Sequence, residues 1–171
     1  MDLSWVVARL EVNAGIVQAL CAGVDHSQAI WRPGPGRWSI LEVVNHMVDE
    51  EIRDFRRRIE ITLRDPGEAW PPIDPERWAV DEAYNERSLG TSVSQFLHER
   101  EASIAWLGGL RAAVWDRAHE HPRMGTIRAG DLLSSWVAHD FIHIRQINRL
   151  HREYLVEAVL PEYSSDYAGK W

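Results

Sequence analysis

The chain has a single cysteine, Cys21, in 171 residues, so it cannot form an internal disulfide and its thiol content gives no support for export. No apolar run approaches the ~20 residues that a membrane span requires. Asp2, Arg9 and Glu11 interrupt the segment where the apolar stretch of a signal peptide would lie. A basic excess is also missing: 19 Lys and Arg against 26 Asp and Glu give a net charge of −7, so the chain as a whole does not attract a phosphate backbone. The one basic cluster, Arg53 with Arg56, Arg57 and Arg58, is surrounded by Asp49, Glu50, Glu51, Asp54 and Glu60. It reads as a solvated helix face with local ion pairs. Strict apolar/polar alternation, the mark of a half-buried strand, is found nowhere. With 45% apolar and 26% charged residues, a disordered or fibrous chain is excluded as well. These absences predict a soluble, cytoplasmic, single domain over 1–171 with no nucleic-acid or membrane partner.

What is present is helical periodicity in four stretches. The first runs from about Leu3 to Ala22 through Val6, Leu10, Val17 and Leu20, with Gly23 as its stop. Arg32 to Gly36 is a loop by composition. The second starts at a capping box, Ser39 with Glu42, and carries the stripe Ile40, Val44, Met47 or Val48, Ile52, Phe55 and Ile59 to about Leu63. Prolines 66, 71, 72 and 75 then forbid regular structure, which predicts a long connection with one short turn near Pro75 to Val80, pinned by Trp70 and Trp78. A connection of this length often covers the mouth of a site. The third helix is expected to open at a second capping-box pair, Ser92 and Gln95. The fourth starts between Thr126 and Asp131 and ends near Arg152, and the aromatic tail from Tyr154 onward is expected to pack back on the bundle. The expected fold is all-α, a four-helix bundle with a long connection between helices 2 and 3.

Nine tryptophans and eight histidines stand out from this background. The fourth helix has a core seam of Leu132, Trp136, His139, His143, Gln146 and Leu150, so two histidines one turn apart interrupt apolar positions. Chance alone yields about 0.3 histidine pairs at this spacing in such a chain, so it is the seam that sharpens the signal. Buried imidazoles need partners for their ring nitrogens, and one divalent cation satisfies both. His46, about two turns into the second helix, supplies a third nitrogen at a comparable depth. The alternative is a set of hydrogen-bonded core histidines. His26 reads as a loop residue, His98 as polar surface, His119 and His121 as part of a charged turn, and His151 as a helix-end residue. Glu50 and Asp140 are read as ligand-orienting acids or surface acids, with Asp140 placed on the surface because it lies about 100° around the helix from His139.

On these residues the chain resembles the DinB/YfiT-like superfamily of metal-binding four-helix bundles over nearly its whole length. The resemblance rests on Trp38-Ser39-Ile40-Leu41-Glu42 followed by Asn45-His46, on Ala129-Gly130-Asp131-Leu132-Leu133, and on Trp136-Val137-Ala138-His139-Asp140 through His143-Ile144-Arg145-Gln146. The ending Tyr167-Ala168-Gly169-Lys170-Trp171 is similar to one subgroup. The resemblance implies that His46, His139 and His143 bind one divalent ion, zinc or nickel, with water in the remaining positions, and that the protein forms a homodimer. It also implies a small-molecule substrate, in some branches with a low-molecular-weight thiol. The mycothiol-dependent maleylpyruvate isomerase branch has a glutamate at the position of His139, which sets this chain apart from it.

Two functions follow as expectations. One is a metal-dependent enzyme, a thiol S-transferase or hydrolase, in which the ion activates a thiol or water and Glu50 is the candidate base. The other is a non-catalytic, metal-stabilised dimeric binding or stress-response protein. Cys21 is a poor nucleophile candidate, because the helix dipole disfavours a thiolate at its position.

Overall fold

Ser39 and Glu42 start the helix around which the chain is arranged. In the computed structural model, which describes residues 2–169, the Glu42 amide donates to Ser39 Oγ at 3.2 Å and the Ser39 amide donates to Glu42 Oε2 at 2.9 Å. This is the predicted capping box. Arg32 clamps the same carboxylate with two N–H donors at 2.8 and 2.5 Å. The helix that follows, α3 (Ile40–Asp49), is buried at every position, so its polar residues Asn45, His46 and Asp49 are interior groups that need partners.

After α3 the helix does not continue regularly. Glu50–Asp54 form a π-helical turn before α4 (Phe55–Arg64). The extra residue in that turn shifts the later positions around the axis. Ile52, expected on the apolar stripe, is 37% exposed, while Glu51 takes the inward position at 1%.

Five further α-helices and one pair of strands complete the architecture among the described residues. Helix α1 (Leu3–Cys21) stops where Gly23 adopts φ +76°. The short helix α2 (His26–Ile30), capped by Asp25, occupies a segment expected to be loop; five residues are too few for periodicity to register. Within the long connection lies α5 (Pro75–Asp81), near the predicted place. Trp70 Nε1 donates to Thr62 Oγ1 at 3.2 Å, and the Arg53 guanidinium lies 4.9 Å over the Trp78 ring, so both tryptophans pin this segment. Helix α6 (Leu89–Gly108) begins a turn earlier than expected: Ser88 is its cap, and Ser92, already inside the helix, donates instead to Asn45 Oδ1 at 3.2 Å.

Strands β1 (Ala118–His121) and β2 (Gly125–Arg128) form an antiparallel hairpin, with Ala118 opposite Arg128 and His121 opposite Gly125. Strands of four residues give too little alternation to be seen in sequence. The charged-turn reading of His119 and His121 is corrected accordingly. His119 is buried, its ring stacks on Trp70 at 4.3 Å, and its Nδ1 lies 2.9 Å from the Pro66 carbonyl. Helix α7 (Ala129–Tyr154) then runs the length of the bundle. Among the described residues the tail touches the bundle only in places: Tyr154 packs edge-on to Trp31 and Arg152 donates to Ser165 Oγ at 3.4 Å, while Leu155, Val159, Leu160, Tyr163 and Tyr167 are exposed. Lys170 and Trp171, the end of the tail motif, lie outside the described residues. No helix among the described residues is long and apolar enough to cross a membrane.

In cross-section α1 contacts α6 and α7, and α3–α4 contact the same two, so α1 and α3–α4 occupy opposite corners. The core is divided in two. One apolar cluster gathers Val17, Val44, Met47, Phe96 and Ile147, and the other Leu10, Phe55, Ile59, Leu107, Leu133 and Trp136. Along each helix the change from one cluster to the other falls at a polar residue: Asn13 on α1, Glu51 after α3, Arg100 on α6 and Asp140 on α7. Arg100 donates to Glu51 Oε1 from Nε and Nη2 at 2.9 and 2.7 Å, to both Asp140 oxygens at 2.7 Å, and to the Leu10 carbonyl at 3.0 Å. Asn13 donates to Asp140 at 3.1 Å and Trp136 Nε1 to Glu51 at 2.8 Å. The predicted surface position of Asp140 is therefore wrong: it is 1% exposed and belongs to a buried ionic layer. That layer forms because three other helices crowd the face of α7 next to the histidine seam.

Candidate metal centre

Helix α3 delivers His46, and α7 delivers His139 and His143 from successive turns of one face. The three rings meet. His46 Nε2 lies 3.3 Å from His139 Nε2, and His143 Nε2 lies 3.0 Å from His139 Nε2. One ligand nitrogen from each residue falls within 4.8 Å of the other two. A tetrahedral zinc–imidazole site with bonds of 2.0–2.1 Å has nitrogen–nitrogen edges of about 3.3 Å, and an octahedral one about 3.0 Å. The measured separations match those edges. Hydrogen bonding is a poorer account of the cluster: with His143 carrying its proton at Nδ1 towards Gln146, one His139 Nε2–H would have to serve both neighbouring rings.

The electrostatics agree with the donor geometry. Burial, reinforced by the neighbouring His143 and His139, pushes the His46 imidazole down to about 2. Burial, then His143 and Arg100, pushes His139 down to about 3, and burial lowers His143 too. All three rings are thus neutral near pH 7, the form in which imidazole ligates a metal.

Behind the ligand nitrogens lie the groups that orient the rings. His143 Nδ1 sits 2.8 Å from Gln146 Oε1, which fixes Nδ1 as the protonated nitrogen and leaves the Nε2 lone pair facing the cluster. His46 Nδ1 is buried without a hydrogen-bond partner, with Glu50 Oε1 at 3.6 Å. Glu50 therefore lies behind His46, on the Nδ1 side, and not among the Nε2 atoms where a base for an attacking group is needed. Burial and then the adjacent Asp54 push the Glu50 carboxyl up to about 9. Phe55 and Trp38 wall the site, their ring centroids 5.3 Å from His139 and 4.9 Å from His46.

The cluster opens to solvent through a mouth of about 610 Å³ lined by Arg37, Trp38, His46, His143 and Gln146 on one side and by Ile73, Asp74, Pro75 and Glu76 on the other. The long connection thus supplies one wall of the mouth. Asp74 caps α5 by accepting from the Arg77 amide at 3.1 Å. The acids that face the entrance are Asp74 and Glu76. The role of Gln146 went unread in the sequence, although its place on the seam three residues after His143 was a usable signal. Gln146→Ala is expected to weaken zinc binding about 10–100-fold with the fold unchanged, the usual effect of losing a ring-orienting partner. Competition titration against a zinc chelator checks it, and an unaltered affinity would remove Gln146 from the site.

The remaining histidines stay apart from this cluster. His151 Nε2 lies 2.7 Å from the Leu20 carbonyl and Nδ1 2.8 Å from Gln28 Nε2, tying α7 to α1 and α2. Cys21 is buried, and that burial pushes its thiol up to about 12. Only about one molecule in 10⁴ is then thiolate at pH 8. Ellman's reagent should label the native protein at least about 100 times more slowly than the unfolded chain, and equal rates would show that the α1 terminus opens freely.

Comparison with known proteins shows the family and the fold. The family model for the DinB superfamily matches residues 9–147. A curated relative in Bacillus subtilis (strain 168), named Putative metal-dependent hydrolase YfiT, is 27% identical over 151 residues, covering 86% of this chain and 83% of that protein. The solved structure of YfiT from Bacillus subtilis, described as a probable metal-dependent hydrolase with an unusual four-helix bundle topology, superposes with a TM-score of 0.78 at 21% identity. That superposition covers 88% of this chain and 86% of the other, and at this identity it speaks to the fold.

Proposed function

The chain belongs to the DinB superfamily, and from that premise we propose that it is a metal-dependent hydrolase whose one divalent ion, zinc or nickel, is held by His46, His139 and His143. The observation that carries the reading is the meeting of three imidazoles, two buried and one half-buried, with Nε2 separations of 3.0 and 3.3 Å. The name of the Bacillus subtilis relative supports it. When bound, such an ion acts as a Lewis acid that brings the pKa of a coordinated water towards neutrality.

The other duties fall to the chain itself. Gln146 holds His143 in the ligating tautomer, and Trp38 and Phe55 pack against the rings and keep bulk water from them. Among the described residues the cluster has three ligand groups, which favours an open reactive site over a closed structural one. A small-molecule substrate enters by the mouth between α7 and α5. The same three histidines would equally hold an ion that lowers the pKa of a low-molecular-weight thiol, which is the thiol S-transferase form of this reading. We take the working form to be a cytoplasmic homodimer that binds no nucleic acid.

The test is elemental analysis of the purified protein, followed by stripping with a chelator and reloading. One equivalent of zinc or nickel is expected per chain, together with hydrolysis of an activated ester that falls at least about tenfold on stripping and returns on reloading. A folded protein that takes up neither ion would overturn the reading in favour of a non-catalytic bundle.

A further inference from the structure

A second cleft, of about 710 Å³, adjoins the mouth of the histidine cluster and shares Arg37, Trp38 and Gln146 with it. Arg145, Arg149 and Arg152 also line it, and Glu153 is the one acid among its described lining residues. Arg37, Arg145 and Arg149 against that single carboxylate form a positive wall in a chain whose net charge is −7. The volume is that of a small-molecule site and far below what a macromolecule would need.

Glu153 does not neutralise this wall. It accepts from Arg149 Nε at 2.6 Å and from Arg37 Nη2 at 3.4 Å, so one carboxylate is shared by two guanidiniums and leaves most of their N–H donors unused. Arg145 has no ion-pair or hydrogen-bond partner among the described residues. The helix sets the direction of the cleft: residues 142, 145, 146, 149 and 153 follow one another along a single face of α7. Gln146, which orients His143, stands where that face meets the cluster. The acids of the mouth, Asp74 and Glu76, lie on the opposite, α5 side. Charge is thus segregated across the opening, negative towards α5 and positive along α7.

We infer that the substrate is a small molecule with an anionic group, a carboxylate or a phosphate. That group docks on Arg37, Arg145 and Arg149, so the rest of the molecule reaches across Gln146 to the histidine cluster. Planar guanidinium forks suit either anion, and a partly enclosed cleft strengthens the attraction relative to open solvent. This inference rests on the metal-site reading for the position of the reacting end, but the anion cleft itself does not need the ion.

The experiment is an NMR titration of the zinc-loaded protein, and of the stripped protein, with succinate, inorganic phosphate and the neutral analogue succinamide. Saturable shifts of the Trp38 indole and Arg145 side-chain resonances are expected with at least one anion and none with succinamide. The preferred anion identifies the group. Arg145→Gln combined with Arg149→Gln should weaken binding at least tenfold while zinc content stays at one equivalent. Arg77→Gln, an exposed arginine on α5, should change nothing. Raising the salt concentration should weaken binding in the wild type. Equal shifts from succinamide, or an affinity untouched by the double variant, would overturn the proposal although the metal centre stood. Anion binding in a protein that takes no zinc would leave the cleft standing and overturn its assignment as the substrate's docking end.

Discussion

Arg100→Ala is expected to destabilise the protein by about 3–5 kcal/mol, the largest stability loss we anticipate from any single side chain here. Arg100 is 2% exposed and is the counter-charge for both Glu51 and Asp140, each 1% exposed. Burial alone would lower its affinity for the proton, and the two carboxylates more than reverse this. Without the guanidinium, two carboxylates face each other across the middle of the bundle with only Trp136 and Asn13 as donors. They must protonate, draw in water, or force the helices apart. For a domain of this size the midpoint of thermal unfolding should fall by roughly 6–20 °C. Combining Arg100→Met with Glu51→Gln and Asp140→Asn removes the charges together and keeps acceptors for Trp136 and Asn13. That triple variant should recover at least half of the loss. An Arg100→Ala protein within about 1 kcal/mol of the wild type would show that the layer is already hydrated.

His143→Ala is expected to weaken zinc binding more than 100-fold, which corresponds to over about 2.8 kcal/mol of binding free energy. The effect should exceed that of Gln146→Ala, since a ligand is lost and not only its support. The variant should still fold, because His143 borders the mouth and the apolar clusters lie above and below it. In the wild type, zinc at 100 times its dissociation constant should add about 2.7 kcal/mol to unfolding stability. In His143→Ala that increment should disappear while the metal-free stability changes by no more than about 1 kcal/mol. Thermal unfolding with and without zinc reads both quantities. Equal zinc stabilisation in the two proteins would place the ion somewhere else.

The two variants probe neighbouring features of one level of the bundle. Asp140 follows His139 in sequence, Trp136 stacks on Phe55 at 5.7 Å, and the Phe55 ring in turn packs edge-on to His139. The ionic layer therefore forms the floor of the histidine site, and it is held by four helices at once. A π-helical turn at Glu50–Asp54 makes this possible, since it brings Glu51 and Phe55 inward on consecutive turns.

Some of this was legible in one dimension because the physics is local. The capping box at Ser39 and Glu42 depends on residues three apart. The stop at Gly23 depends on one residue's backbone freedom, and the prolines from Pro66 to Pro75 exclude a helix by their own geometry. The seam of α7 showed that His139 and His143 share a face, because helical spacing alone dictates it. Whether that face turns inward, and what it meets there, is decided by other helices. The direction of His46 towards the pair, the burial of Asp140 and its capture by Arg100 from 40 positions away are products of packing between α1, α3, α6 and α7. A one-residue change of helical pitch sent Ile52 outward and Glu51 inward, and no periodicity count registers such a change in advance. The tail reads as packed by its aromatic content, yet Leu155, Val159, Leu160, Tyr163 and Tyr167 stay exposed, since composition does not say which surface a segment meets. By itself the sequence determined the long helices, the capped start at Ser39 and the shared face of His139 and His143; only the tertiary structure decided which charges could be buried together, since that depends on partners distant in the chain.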